Sequence, residues 1–250
     1  MFYNELIKQI DSMPYTHRQM LFRGEPQKFE HISSGFYRMR EKGDPRWAEY
    51  SAQEREEDIK ICEGHAVSGA GVFEGVDVER EYELFATFMG DNPLEQVPKE
   101  SWETLAKIRQ AGGKTNFIDF SRDVNIAIYF ACSDIAGHPI SRGKSRHDGR
   151  IVIYRPLTIP EKHPIMEFPH AGYSKYQSSV FVRPREGGSI PLDEDVLAIP
   201  VPKEEKLSLL SHLDVYCNVR PSTVYPDLGG YIRNEGMIFP TKEEINAKYK

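Results

Sequence analysis

Residues 110–133 read QAGGKTNFIDFSRDVNIAIYFACS. Gly112 and Gly113 supply backbone that takes positive φ at no steric cost, so a turn is expected there. Residues 116–120 then read as a short, largely buried strand. Asp119 stands inside it, between Ile118 and Phe120. A carboxylate in such surroundings must be answered by hydrogen bonds or a cation, because desolvation penalises its charged form. Two partners suit it: the guanidinium of Arg23, or the backbone N–H groups of residues 112–114. Ser121 is placed to cap the next helix, and residues 124–132 are apolar nearly all round, the mark of a helix buried on most faces. Thr115, Asp119 and Ser121 form a polar corner, and Tyr129 is the hydroxyl on the helix that could reach it.

Upstream, Trp102, Leu105, Ala106 and Ile108 predict an amphipathic helix running into this corner. Phe2, Leu6, Ile7 and Ile10 predict an opening helix closed by Pro14. Residues 19–25 predict a strand bearing Arg23 and Gly24 and stopped by Pro26. Ser33, Ser34 and Gly35 offer a helix start, where free N–H groups favour anions, with Arg38 one turn further on. From Asp44 to about Pro98 the chain becomes heavily charged. The spacing predicts two helices there, over 47–66 and around Val78, Tyr82, Phe85 and Met89. The glycine-rich residues 64–75 between them lack both GxGxxG order and a preceding strand, so they read as a flexible connector and not a phosphate loop.

Downstream, residues 137–149 form a polar, basic loop, and strands are predicted at 150–154, 176–183 and 196–201. Residues 203–214 form a helix with Leu207, Leu210 and Leu213 on one side. Ser222 or Thr223 opens a last turn before a helix-like tail. Strands separated irregularly by helices predict an α+β fold: a short-stranded, mixed but mostly antiparallel sheet decorated by helices, in one domain over 1–250 with residues 44–98 as a helical elaboration.

A net charge of −6 does not support general adhesion to nucleic acid. No apolar run reaches the length of a membrane span, and the N-terminal residues lack the pattern of a signal peptide, so no membrane partner and a cytoplasmic location are expected. Cys62, Cys132 and Cys217 are odd in number and lack CxxC spacing, which points to packed thiols rather than disulfides or a metal site.

Four segments, in this order, resemble the FRG domain family: Leu21-Phe22-Arg23-Gly24; Ser34 with Arg38; Gly112, Thr115 and Asp119-Phe120-Ser121 with the helix containing Ala127-Ile128-Tyr129-Phe130-Ala131; and Tyr225 to Gly230. The resemblance spans residues 17–234. Many members carry His-Tyr-Gly before the threonine, where this chain has Gln110-Ala111-Gly112. The family occurs in bacteria and phages, often near defence genes, and its arrangement looks like a divergent mono-ADP-ribosyltransferase. The resemblance therefore implies NAD as substrate, a protein or nucleic-acid target, and a role as a toxin or anti-phage effector with a regulatory or antitoxin partner.

On that reading Arg23 grips the pyrophosphate, since a guanidinium binds it bidentately and keeps its charge. Gly24, Ser34, Arg38, Ser121 and Tyr129 complete the binding site, and Arg23, Thr115, Asp119 and Gln177 carry catalysis. Gln177 stands on the 176–183 strand where such enzymes place a glutamate. Glu167 and Glu186 fall outside that strand. A glutamine there can hydrogen-bond but cannot stabilise an oxocarbenium-like centre by charge. Two other classes fit the residues: a non-catalytic nucleotide or nucleic-acid binding domain, and a metal-dependent nuclease built on Asp119.

Overall fold

Strand β1, Leu21–Glu25, alternates between two surroundings, and the layers of the protein follow from that alternation. The structure is a computed structural model that describes residues 2–16, 19–73, 97–133, 147–155, 163–184, 188–190, 192 and 196–227. The expected helix around Val78–Met89, most of the 137–149 loop, Glu186 and the tail from Leu228 lie outside these residues.

β1 is central in a six-stranded sheet. On one side come β3 (Ile118–Ser121), β6 (Ser179–Val182) and β5 (Ile165–Met166); on the other come β4 (Gly149–Tyr154) and β8 (Val196–Val201). Each described pairing is antiparallel, so the expected parallel admixture is absent among the described residues. The helices are inserted between antiparallel neighbours instead of serving as the crossovers that parallel strands need. A second, two-stranded sheet pairs β2 (Ile32–Ser33) with β7 (Ser189–Ile190).

Phe22 faces helix α5, Val124–Cys132, in a core with Ile126, Ala127, Ile151, Ile153 and Val201. α1 (Phe2–Asp11), α7 (Lys206–Cys217) and α8 (Pro221–Val224) close this layer through Leu6, Ile10, Leu209, Leu213 and Val224. Gly24 shares this face, and a Cβ there would overlap the Ala127 carbonyl oxygen and the Ala131 nitrogen. The other sheet face packs Leu21, Phe120, Val152, Tyr154 and Val180 against Ile32 and Ile190 of the small sheet. α3 (Ala52–Phe73) and α4 (Lys99–Gln110) meet beside β6, where Val67, Trp102, Leu105 and Ala106 cover Phe117 and Phe181. α2 (Gly35–Gly43) packs Phe36 and Tyr37 on Trp47, which lies in a 3-10 turn over Pro45–Glu49. Among the described residues no helix is long and apolar enough to cross a membrane.

Arg183, fully buried just past β6, ties α3 to the sheet. Its Nη2 lies 2.9 Å from Glu63 Oε2 and 2.8 Å from Glu56 Oε1, and its guanidinium lies 5.6 Å from the centre of the Trp102 ring. Burial pushes the Glu63 carboxyl upward in pKa, against the pull of Arg183. Burial also works against the Arg183 charge, but the two carboxylates outweigh it and the net shift is upward.

Four expectations are corrected. Residues 64–73 are not a connector: α3 runs unbroken through them, because Val67 is buried against the Trp102 cluster and Gly69 meets nothing within 4 Å, so packing offsets the helix cost of glycine. Residues 176–183 are not one strand: Ser174–Gln177 form a helical turn, α6, ended by Ser178 at φ 47°, before β6 begins. Ser121 is not the N-cap of α5. That place belongs to Asp123, whose side chain accepts from Asn125 N, while Ser121 Oγ accepts from Asp123 N at 2.9 Å. On α7 the buried apolar positions are Leu209 and Leu213, and Leu207 is exposed.

The close approach of β1 to α5 yields the first test. Gly24→Ala is expected to destabilise by more than about 3 kcal/mol, because the obstruction is backbone on both sides. Gly43→Ala, in the last turn of α2 with nothing within 4 Å, is expected to stay within about 1 kcal/mol of the parent and to err toward stabilisation. Urea denaturation of the two variants side by side measures both.

Candidate functional site

β1 and β3 share one register pair, Phe22 with Ser121. Beyond it, Arg23 Nη1 donates to the Asp119 carbonyl oxygen at 2.8 Å, so a guanidinium takes the acceptor that a strand neighbour would otherwise satisfy. The same arginine is held from its other edge, where Nε donates to Glu25 Oε1 at 3.0 Å. Glu25 is 1% exposed and lies opposite Arg150 in the β1–β4 ladder; its Oε2 accepts from Arg150 Nε at 2.6 Å. Both carboxylate oxygens of Glu25 are thus committed, and Arg23 is oriented by two acceptors on two strands.

The start of α2 comes against this cluster. Ser34 is its N-cap, with Oγ accepting from Tyr37 N at 3.0 Å. Ser34 N donates to Gly188 O at 2.9 Å and Phe36 N to Thr115 O at 3.2 Å. These N–H groups hold the helix to its neighbours, so the helix end contributes chiefly the position of Arg38. Arg38 Nη1 donates to Ser33 O at 2.5 Å, and its guanidinium lies 5.6 Å from the centre of the Phe29 ring. Burial first, then the nearby charges of Arg23 and Arg109, bring the Arg38 pKa down to about 10, despite Glu25 and Asp119.

Arg109, in the last turn of α4, is the residue that sequence reasoning missed. Its Nη2 lies 2.5 Å from Asp119 Oδ2, so Asp119 pairs with Arg109 and not, through its carboxylate, with Arg23. The pair is partly exposed, with side-chain exposures of 17% and 28%. Arg109 Nε and Asp119 Oδ1 are buried and lack a hydrogen-bond partner. A Cβ on Gly35 would meet Arg109 Nη1 at 3.7 Å and Lys114 Cδ at 3.3 Å, which places both cations at the start of α2. A signal existed: Arg109 continues the Trp102, Leu105, Ala106 stripe at helical spacing, and a charge on a buried stripe implies a buried partner.

The other expected site residues separate into two groups. Thr115 is buried; its Oγ1 accepts from Phe117 N at 3.3 Å, and its carbonyl receives Phe36 N, so it joins the corner to α2. Ser121 Oγ donates to Gln177 O at 2.7 Å, and Gln177 Nε2 reaches Val224 O at 3.4 Å. Gln177 is thereby engaged with α8 and not with an arginine. Gly24 and Tyr129 lie on the α5 side of the sheet, Gly24 against the helix backbone and Tyr129 fully buried in the core. Glu167 pairs at the surface with Arg122 at 2.8 Å. Among the described residues no group of three or more His, Cys, Asp or Glu side chains is placed to hold a metal ion.

The arrangement is therefore a partly buried set of guanidinia with too few counter-charges among the described residues. Arg23, Arg38, Arg109 and Arg150 face Glu25 and Asp119, four positive groups against two negative, with Lys114 beside them. The FRG domain family model matches residues 18–138, which take in Arg23, Ser34, Arg38, Arg109, Thr115, Asp119 and Ser121 but stop short of Arg150, Gln177 and Tyr225. No curated protein and no solved structure matches the chain.

If Glu25 holds the cluster together, Glu25→Gln leaves Arg150 and Arg23 without their shared charge in a buried setting. A loss of about 3–5 kcal/mol is expected, the usual size for breaking a buried pair from one side. A loss under about 1 kcal/mol in urea denaturation would show that the two arginines find other acceptors.

Proposed function

We propose that this chain, which carries an FRG domain over residues 18–138, binds NAD or a related dinucleotide through its pyrophosphate and acts as an ADP-ribosyltransferase-like protein on a protein or nucleic-acid target. The observation that supports binding is the charge imbalance around Arg38. A guanidinium packed beside two others at reduced exposure loses basicity, and an anion set among them would relieve the repulsion. A pyrophosphate diester brings two negative charges, the number by which four guanidinia exceed Glu25 and Asp119. Each guanidinium has five N–H donors in a planar fork, and the hydrogen bonds made by Arg23 and Arg38 leave most of theirs uncommitted.

Transfer of ADP-ribose requires charge stabilisation at the anomeric carbon as nicotinamide leaves. Within the cluster the carboxylate with an uncommitted oxygen is Asp119, since Glu25 uses both of its own. A second reading, nucleotide binding without turnover, is favoured by Gln177, whose amide is directed at Val224 O.

Titration calorimetry with NAD and ADP-ribose tests the binding step. The parent is expected to bind both, with affinity that falls as salt rises, and Arg38→Gln to bind at least about tenfold more weakly. No heat with either ligand, or equal binding by Arg38→Gln, would remove the pyrophosphate from this site. Incubation of the pure protein with labelled NAD and lysate separates the two readings: label on a macromolecule supports transfer, and binding without label or NAD loss supports the second.

A further inference from the structure

Arg109 and Asp119 make an incomplete pair. A guanidinium and a carboxylate that meet squarely form two parallel hydrogen bonds. Here one nitrogen meets one oxygen, and the remaining Nε of Arg109 and Oδ1 of Asp119 are both buried without a hydrogen-bond partner. Unmade bonds on both members of one pair mark a contact that the fold tolerates but does not optimise.

The contact is also separable from the structure around it. The Asp119 backbone is fixed independently, by the β3–β6 ladder opposite Phe181 and by Arg23 on its carbonyl. Swinging its carboxylate away breaks the ion pair and leaves the strand in place. The side chain is 28% exposed, so water lies within its reach. Glu25 offers the contrast: it is 1% exposed and gripped on both oxygens. One carboxylate of the cluster is built in, and the other is placed on Arg109.

We infer that Asp119 is an internal stand-in for the ligand's phosphate, occupying Arg109 until an anion of higher charge displaces it. The inference rests on the anion-binding reading above and adds to it a selectivity device. A monocarboxylate brings no more charge than Asp119, which is already tethered beside Arg109 and so competes at high effective concentration. A pyrophosphate brings two charges and several acceptor oxygens, enough to engage Arg109 and Arg38 together. The displaced Asp119 is then free to accept a hydroxyl of the ligand's sugar. Asp119 thus sets a threshold that favours phosphate esters over simple carboxylates.

The test is a double-mutant cycle in titration calorimetry with ADP-ribose as the probe, on the parent, Asp119→Asn, Arg109→Gln and the double variant. Asp119→Asn is expected to bind about tenfold more tightly than the parent. Arg109→Gln is expected to bind more weakly, and Asp119→Asn added to Arg109→Gln to give no gain, because the competition it removes is for Arg109. Asp119→Ser, which also removes the charge, serves if the asparagine variant does not fold. Parent binding with unchanged or weaker binding by a folded Asp119 variant would overturn the stand-in role and leave the anion site standing. Absence of binding by the parent and the Asp119 variants alike would overturn both. Unfolding of both Asp119 variants would also overturn the inference, since a displaceable group cannot be what holds the strand.

Discussion

Glu25 divides its two oxygens between Arg23 and Arg150, and the orientation of both guanidinia follows from that division. The antiparallel register sets Arg150 opposite Glu25, while the two-residue repeat of the strand sets Arg23 on the same face of β1. A carboxylate this deeply buried is tolerated only with hydrogen-bonded counter-charges, and here it has one on each oxygen. Arg23 is consequently fixed in a plane from which its Nη1 reaches the Asp119 carbonyl. That contact spans the place where β1 and β3 cease to pair, so the gap between the strands is lined by a guanidinium instead of being closed by backbone.

The opposite face of β1 imposes its own condition. Gly24 lets the strand lie against the backbone of α5, which seats the long apolar helix on the sheet and supplies much of the core. Two adjacent residues thus serve unrelated ends: Arg23 points to the charged cluster and Gly24 permits the helix. The Phe-Arg-Gly triplet reads as a functional signature, yet only its arginine faces the charged cluster. Phe22 and Gly24 belong to the packing that holds it there.

Much of this was legible in the residues. The strand at β1, the buried helix after Asp119, the cap at Ser34 and the amphipathic α4 each had a local pattern of period or capping chemistry behind them. The pairing of Asp119 was only half legible: the buried stripe marks Arg109 as needing a counter-charge, but an ion pair joins side chains by distance in space. Arg23 and Arg109 are equally charged, and only the fold shows that one takes the Asp119 carbonyl and the other its carboxylate. Gln177 failed for a local reason. Its neighbours read as β-formers, but the left-handed turn at Ser178 separates a helical turn from the strand, and nothing in a Ser-Ser pair announces it. The glycine-rich end of α3 failed the other way: helix propensity was low, and the tertiary contact of Val67 with the Trp102 cluster overrode it.

Two ionic clusters among the described residues have opposite imbalance, and the difference in their chemistry bears on the proposed function. Around Arg183 one guanidinium faces two carboxylates, Glu56 and Glu63. That excess is negative, and a carboxylate can relieve it by taking up a proton; burial first, with Glu56 adding to it, shifts the Glu63 carboxyl upward, the direction that eases this. Around Arg23 the excess is positive, and a guanidinium has no matching escape. Even Arg38, with its pKa lowered to about 10, stays protonated at neutral pH. The first cluster can therefore be neutralised from within and is sufficient as a structural tie between α3 and β6. Among the described residues nothing within the second cluster can take up that excess, which supports reading it, and not Arg183, as the anion site proposed above.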